Sequence, residues 1–313
     1  MTRPNVLVIG PYPQWDMNPL EENFEIHRLW ETTDKPAFLK TKGANFQAIA
    51  TRGELGANAE LIAALPNLEI ISCYGVGTDA IDLKAARASH IKVTNTPDVL
   101  TEDVADIAIG LMLSVARQMP RADLFVRDGS WRKANMPLAT RVCGKRLGII
   151  GMGRVGLAVA KRAAGFDMRI SYFNRKKRDD VPYVYANSLV DLARNSDFLI
   201  ATVAGGAATA ELVGADVFDA LGPQGFFINV ARGTVVDEAA LIEALVKNKI
   251  AGAGLDVFLN EPNIDQRFLT MNNVVLQPHH GSGTVETRKA MGQLMRDNLT
   301  AHFSGQPLLT EVK

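Results

Sequence analysis

Very little in this 313-residue chain points to a specialised environment. Only two cysteines, Cys73 and Cys143, are present. That is too few for a disulfide framework, and their scarcity predicts a reducing compartment. Neither sign of charge is in excess, since 34 basic side chains face 34 acidic ones. Nucleic acid and anionic membrane both select a surplus of Lys and Arg, so neither is expected as a partner. Long apolar runs are also missing. The opening Met1-Thr2-Arg3-Pro4-Asn5 leads into a short apolar stretch, 6–9, that Gly10 and Pro11 stop. A signal-peptide core needs roughly 7–15 apolar residues and a membrane span about 20. A soluble cytoplasmic protein is therefore expected. What the chain does have is 47% hydrophobic and 22% charged residues, the composition of a globular rather than a disordered protein. Its length exceeds what one core usually organises and predicts about two domains.

Short β-branched runs alternate with longer helical stretches. Strands are expected at 6–9, 48–51, 69–73 and 92–95, with helices at 59–65 and 82–89. A second series follows at 146–150, 169–173, 198–203, 225–230 and 252–257. Such alternation predicts βαβ units, hence parallel sheets covered by helices on both faces. Two longer helices stand apart. One, 101–117, opens on Thr101 with Glu102 and Asp103 in its first turn; the other, 284–303, ends before Gly305 and Pro307. One βα series precedes the first of them and another lies between the two. The expected division is residues 1–98 with 285–313 in one doubly wound α/β domain, and 99–284 in another. A single large sheet is the alternative.

The most informative motif is Gly151-Met152-Gly153-Arg154-Val155-Gly156, directly after the apolar strand 146–150 and before a helical stretch, 157–164. Strand, Gly-x-Gly-x-x-Gly and helix in that order form a dinucleotide fingerprint. Gly151 permits the tight turn, Gly153 lets backbone approach a pyrophosphate, and Gly156 lets helix and strand pack closely. The helix amino end, with Arg154 and Val155, presents N–H groups and a positive dipole to phosphate. An NAD site usually carries an acidic residue about 20 positions on, to bond the ribose 2′-hydroxyl. Here that region reads Ser171-Tyr172-Phe173-Asn174-Arg175-Lys176-Lys177-Arg178, with no carboxylate. A 2′-phosphate instead wants guanidinium and ammonium partners. NADP (as NADPH) is therefore expected, held by Arg175 with Lys176 and the Asn174 amide, and NAD as a weaker alternative. A solvated charge run is the other reading of 175–178.

Three polar residues fall just beyond strand ends, where doubly wound sheets bind ligands. Arg232 lies in Asn229-Val230-Ala231-Arg232-Gly233, Glu261 in Leu259-Asn260-Glu261-Pro262, and His279 after Pro278. Carbonyl reduction needs such a set: a cation for a substrate carboxylate, an imidazole to give a proton, and a carboxylate to keep that imidazole protonated. Each taken singly could be merely structural. His280, next in the chain, competes with His279 for the role. Neither cysteine has metal-ligand spacing, and no metal is expected.

Together, 151–156, 229–233, 254–257 with Glu261-Pro262, and Pro278-His279-His280-Gly281-Ser282 resemble the D-isomer-specific 2-hydroxyacid dehydrogenase family over nearly the whole chain. Within it, Asn95-Thr96-Pro97-Asp98-Val99-Leu100-Thr101, 252–262 and 281–288 are most similar to the NADPH-dependent hydroxypyruvate, glyoxylate and hydroxyphenylpyruvate reductases. The resemblance implies a Rossmann cofactor domain joined to a flavodoxin-like substrate domain. It further implies reduction of a small 2-ketoacid to the D-2-hydroxy acid, with a homodimer as the expected assembly. Arg232 would bind the substrate's carboxylate and ketone, His279 would be the acid–base, and Glu261 its partner. Backbone N–H groups of Val76 and Gly77, in the loop 74–79, would hold the carboxylate. Asp256 would contact the nicotinamide amide, and Val203, Ala231 and Gly281 would line the cofactor. Glu rather than Gln at 261 argues against formate dehydrogenases. The corepressors of the same superfamily set the alternative, a dinucleotide-sensing interaction protein, although this chain shows no low-complexity tail.

Overall fold

The computed structural model describes residues 3–313, so residues 1 and 2 of the expected first domain lie outside the described residues. The chain divides into two compact units, Met1–Leu100 with Gly283–Lys313, and Thr101–Ser282.

The first unit runs β1 (Asn5–Val8), α1 (Gln14–Asn23), β2 (Glu25–Arg28), α2 (Lys35–Lys42), β3 (Ala48–Arg52), α3 (Ala59–Ala63), β4 (Ile70–Tyr74), α4 (Leu83–Ala88) and β5 (Lys92–Thr94). Its five strands pair in parallel in the order β2-β1-β3-β4-β5, the flavodoxin-like arrangement. Strand periodicity sends alternate side chains into two cores. On β1, Leu7 joins one cluster with Ile49, Ile71 and Val93. Val6 and Val8 join the other, with Ala48, Ile70 and the helix residues Met291, Met295 and Leu299.

The second unit runs α5 (Thr101–Ala116), α6 (Met119–Arg127), β6 (Arg146–Ile150), α7 (Arg154–Ala164), β7 (Arg169–Phe173), β8 (Val184–Tyr185), α8 (Leu189–Arg194), β9 (Phe198–Ala201), α9 (Ala215–Leu221), β10 (Phe226–Asn229), α10 (Glu238–Val246), β11 (Gly252–Leu255) and β12 (Val274–Leu276). The remaining helix, α11 (Val285–Phe303), belongs to the first unit. The seven-stranded sheet has the order β12-β11-β10-β9-β6-β7-β8 and every pairing is parallel. The chain starts in mid-sheet at β6, winds outward to β8, then returns through β9 to the opposite edge. This is the Rossmann order with one further strand. Phe198 and Ile200 of β9 face one core, and Leu199 and Ala201 face the other.

Several expected strands end sooner than their apolar runs. β9 stops at Ala201, β10 at Asn229, β11 at Leu255 and β5 at Thr94. Beyond β9, Thr202 is tied to the end of β6, its N–H donating to the Ile150 carbonyl at 2.9 Å and its hydroxyl to the Gly151 carbonyl at 2.6 Å. Two edge strands, β2 and β8, were not expected from the pattern. Glu-Ile-His-Arg is too polar to read as a buried strand, and β8 has only two residues. No described helix is long and apolar enough to cross a membrane.

Candidate active site

In the second unit the residues singled out by the sequence fall at or after the carboxyl ends of β6, β7, β9, β10, β11 and β12. At the end of β6, Gly151 has φ +99°, a backbone conformation that side chains rarely adopt. A Cβ there would also lie 2.6 Å from Val203. Val203 therefore packs directly over the turn. Gly156 is equally constrained, because its Cβ would fall 2.2 Å from the Gly151 carbonyl oxygen. Gly153 differs, since a Cβ there would meet nothing within 4 Å. It is the N-cap of α7 and supplies no side-chain cap to the first N–H groups of that helix. An open glycine at an uncapped, positively polarised helix end fits a pyrophosphate.

Asn174, at the end of β7, accepts a hydrogen bond from Met152 N at 2.7 Å and so ties that strand end to the turn. Arg175 and Lys176 are exposed, and neither side chain is engaged in a hydrogen bond or ion pair among the described residues. Arg178 behaves otherwise. Its guanidinium donates to the Met152 carbonyl at 2.7 Å and pairs with Asp180, while its backbone N–H donates to the Tyr172 hydroxyl at 2.8 Å. The basic run 175–178 is thus divided. Arg178 is structural, and Arg175 and Lys176 remain available to an anion.

Asn229, 2% exposed at the end of β10, organises the next segment. Its Oδ1 accepts from Ala231 N at 3.0 Å and its Nδ2 donates to the Arg232 carbonyl at 3.0 Å. Gly233 then lets this turn press on the chain after β11, because a Cβ would stand 2.0 Å from the Phe258 carbonyl. Phe258 N in turn donates to Glu261 Oε1 at 2.7 Å. Close packing of two backbones thereby brings Arg232 within electrostatic reach of Glu261. The Arg232 guanidinium also donates to the Ala231 carbonyl at 2.6 Å.

The other carboxylate oxygen, Glu261 Oε2, lies 2.6 Å from His279 Nδ1. Burial pushes this carboxyl up. The bonds from His279 and Phe258 and the charges of His279 and Arg232 outweigh that, so it ionises below the ordinary carboxylate range. With Nδ1 engaged, Nε2 is the ring nitrogen left to a ligand. His279 sits at φ +52°, held there by its N–H to the Asp256 carbonyl at 2.8 Å. Of the adjacent histidines, His279 places its ring on Glu261, whereas His280 contributes its backbone N–H to Asp256 Oδ1 at 2.7 Å. Asp256 Oδ2 accepts from Gly281 N at 2.9 Å, where a Cβ would come equally close. Burial raises the Asp256 pKa despite these bonds. Both oxygens are spent on pinning the 279–281 loop, a role its sequence position did not reveal.

In the first unit, the loop after β4 is held from both sides. Gly75 N donates to the Thr96 hydroxyl at 3.0 Å, and Asn95 Nδ2 to the Val76 carbonyl at 2.9 Å. Val76 is exposed and Gly77 is partly exposed.

This arrangement defines a nicotinamide-dinucleotide oxidoreductase. Residues 109–281 match the family described as D-isomer specific 2-hydroxyacid dehydrogenase, NAD binding domain. The chain belongs to that family. It is 48% identical over 307 residues to a hydroxyphenylpyruvate reductase of Plectranthus scutellarioides, covering 98% of each chain. A 2-ketogluconate reductase of Gluconobacter oxydans is 45% identical over 311 residues, covering 99% of each. Among solved structures, the NADPH-dependent glyoxylate/hydroxypyruvate reductase of Sinorhizobium meliloti, in complex with NADP and malonate, is 43% identical. It superposes with a TM-score of 0.92 over 99% of this chain and 97% of that one.

Proposed function

We propose that the protein reduces a small 2-ketoacid to the D-2-hydroxy acid with NADPH, using His279 as the proton donor. The observation that carries this reading is the His279–Glu261 contact of 2.6 Å, with Arg232 beside it at the carboxyl edge of a dinucleotide-binding sheet. The dihydronicotinamide, when bound, supplies the hydride equivalent to the carbonyl carbon. His279 Nε2 gives the proton to the oxygen that becomes the hydroxyl. Glu261, ionised and anchored by Phe258 N, fixes the orientation of the ring. Arg232 binds the substrate's carboxylate and stabilises the negative charge that develops on the keto oxygen. The N–H groups of Val76 and Gly77 are proposed to bind substrate in the first unit, and the second unit is proposed to bind the dinucleotide. Gly151, Gly153, Arg154, Val155 and Gly156 would hold the pyrophosphate, and Arg175 and Lys176 with Asn174 the 2′-phosphate. Val203, Ala231, Asp256 and Gly281 would line the nicotinamide side.

The relatives named for hydroxyphenylpyruvate, 2-ketogluconate and glyoxylate or hydroxypyruvate share the 2-keto carboxylate head and differ in the tail it carries. The head is what the trio above is built to hold. Steady-state reduction of a 2-ketoacid panel with NADPH and NADH tests the reading. Turnover with NADPH is expected, and its complete absence across the panel would overturn it.

A homodimer is the proposed assembly. Leu124 and Val126 on α6, with Trp131 and Leu138 beyond it, are exposed, Leu138 to 98%. Apolar side chains grouped in one such segment mark an association surface, and light scattering of the eluted protein gives its mass directly. A cytoplasmic location is proposed on the scarcity of cysteine; neither Cys73 nor Cys143 forms a disulfide.

A further inference from the structure

We propose that Arg52 and Glu54 form the part of the substrate site that reads the tail of the 2-ketoacid, and that they select tails bearing hydroxyl groups. The inference rests on the 2-ketoacid reading above and concerns only the first unit. In that unit's strand order the chain reverses direction between β1 and β3, and ligands of doubly wound sheets bind at this reversal, outside the carboxyl ends of the strands. Arg52 is the last residue of β3. Its Nη1 donates across the reversal to the Pro11 carbonyl, beyond β1, at 3.4 Å. Its Nη2 lies 2.6 Å from Glu54 Oε1.

Gly53, between the two, abuts the loop proposed to hold the carboxylate. A Cβ on Gly53 would stand 3.1 Å from the Gly77 carbonyl oxygen, and one on Gly75 would stand 3.6 Å from Gly53 N. The pair therefore flanks that loop. Close by is Tyr12, whose hydroxyl is buried without a hydrogen-bond partner among the described residues and whose ring centroid lies 5.3 Å from that of Tyr74. Arg52 and Glu54 both act electrostatically on this phenol, in opposite senses.

The chemistry of the pair decides what it can read. A lone guanidinium would attract a second carboxylate, but here Glu54 already neutralises it at 2.6 Å. An anionic tail would have to displace or repel that carboxylate. An apolar or aryl tail would strip water from a partly exposed ion pair and return no hydrogen bond, which is unfavourable. A hydroxyl group is donor and acceptor at once. It can accept from the N–H groups left on Arg52 and donate to Glu54 Oε2, and the side chains are 34% and 50% exposed, open to such a partner. Selection therefore favours a polyhydroxylated 2-ketoacid over unsubstituted, aryl and dicarboxylic ones.

The test compares kcat/KM, with NADPH, for 2-ketogluconate, 2-ketobutyrate, oxaloacetate and phenylpyruvate, each divided by the value for glyoxylate, which has no tail. Wild type, Arg52→Ala and Glu54→Gln are measured, with thermal melts to verify folding. In wild type the 2-ketogluconate ratio should be the highest of the four. Arg52→Ala should lower it by about tenfold, the equivalent of one charge-assisted hydrogen bond. Glu54→Gln leaves the guanidinium uncompensated and should raise the oxaloacetate ratio by a similar factor. Unchanged ratios in both variants, or a wild type that favours phenylpyruvate or 2-ketobutyrate, would overturn the tail-reading role while leaving the reductase reading intact. A wild type that reduces no 2-ketoacid, glyoxylate included, overturns both.

Discussion

Two glycines of the same turn, Gly153 and Gly156, should respond to the same substitution in opposite ways. At Gly156 an added Cβ would lie 2.2 Å from the Gly151 carbonyl oxygen and 3.2 Å from an Ile149 methyl group. Backbone is what it strikes, and the oxygen belongs to a turn already fixed by Gly151 N donating to the Phe173 carbonyl at 2.9 Å. The helix must therefore move away from β6. Overpacking of this kind costs roughly 1–3 kcal/mol, and in a unit of this size each kcal/mol shifts Tm by about 2–4 °C. Gly156→Ala should thus melt roughly 2–12 °C below wild type. Gly153→Ala meets nothing within 4 Å and sits at φ −87°, which alanine adopts freely. Its Tm should stay within about 1 °C. Its methyl group would instead occupy the open space assigned to pyrophosphate, so the Kd for NADPH should rise by about tenfold or more. Differential scanning fluorimetry and fluorescence titration with NADPH separate the two effects. A Gly153→Ala protein that binds NADPH like wild type, or a Gly156→Ala protein that melts like wild type, would refute the assignment of the cradle.

Three further outcomes are expected. Arg175→Ala should weaken NADPH use by at least about tenfold in kcat/KM while nearly sparing NADH, because only the 2′-phosphate loses a charged fork; equal loss with both cofactors would show the 175–176 run to be a solvated loop. Glu261→Gln keeps the shape of the side chain but removes its charge, and should lower kcat by roughly 10²-fold, with NADPH affinity unchanged in titration. Asp197→Asn concerns stability. Burial pushes the Asp197 carboxyl up, but the bonds from Arg146 at 2.8 Å and its charge hold it below the ordinary carboxylate range. A depressed folded-state pKa stabilises above the unfolded value and the gain fades as pH falls through the folded one. The Asp197→Asn variant should therefore melt below wild type at neutral pH, and the gap should close as the pH drops below about 4.

Much of the architecture is legible in residue types. Runs such as Arg-Leu-Gly-Ile-Ile and Phe-Leu-Ile-Ala are apolar because they are buried on both faces, which is the mark of a central parallel strand. Edge strands carry no such mark, and for that reason β2 and β8 are silent in the sequence. Helix α2 is likewise hard to read, since none of its residues is buried. In the site, glycine spacing announces the turn at 151–156. What it cannot announce is the hydrogen bonding that holds the parts in place. Asn229 looks like the ordinary end of a strand, yet it fixes both Ala231 and Arg232. Arg178 reads as one more base in a charged run, yet it binds the Met152 carbonyl. That contact joins residues 26 positions apart and exists only once the chain has folded.

The most direct test of the account is the reduction of hydroxypyruvate with NADPH by wild type and by His279→Asn, with the glycerate product resolved by chiral chromatography. Wild type should yield D-glycerate. The Asn variant, which keeps size and polarity but carries no transferable proton, should lose about 10²–10⁴-fold in kcat while binding NADPH normally. L-glycerate from wild type, or a His279→Asn enzyme that turns over at the wild-type rate while His280→Asn is crippled, would contradict the account.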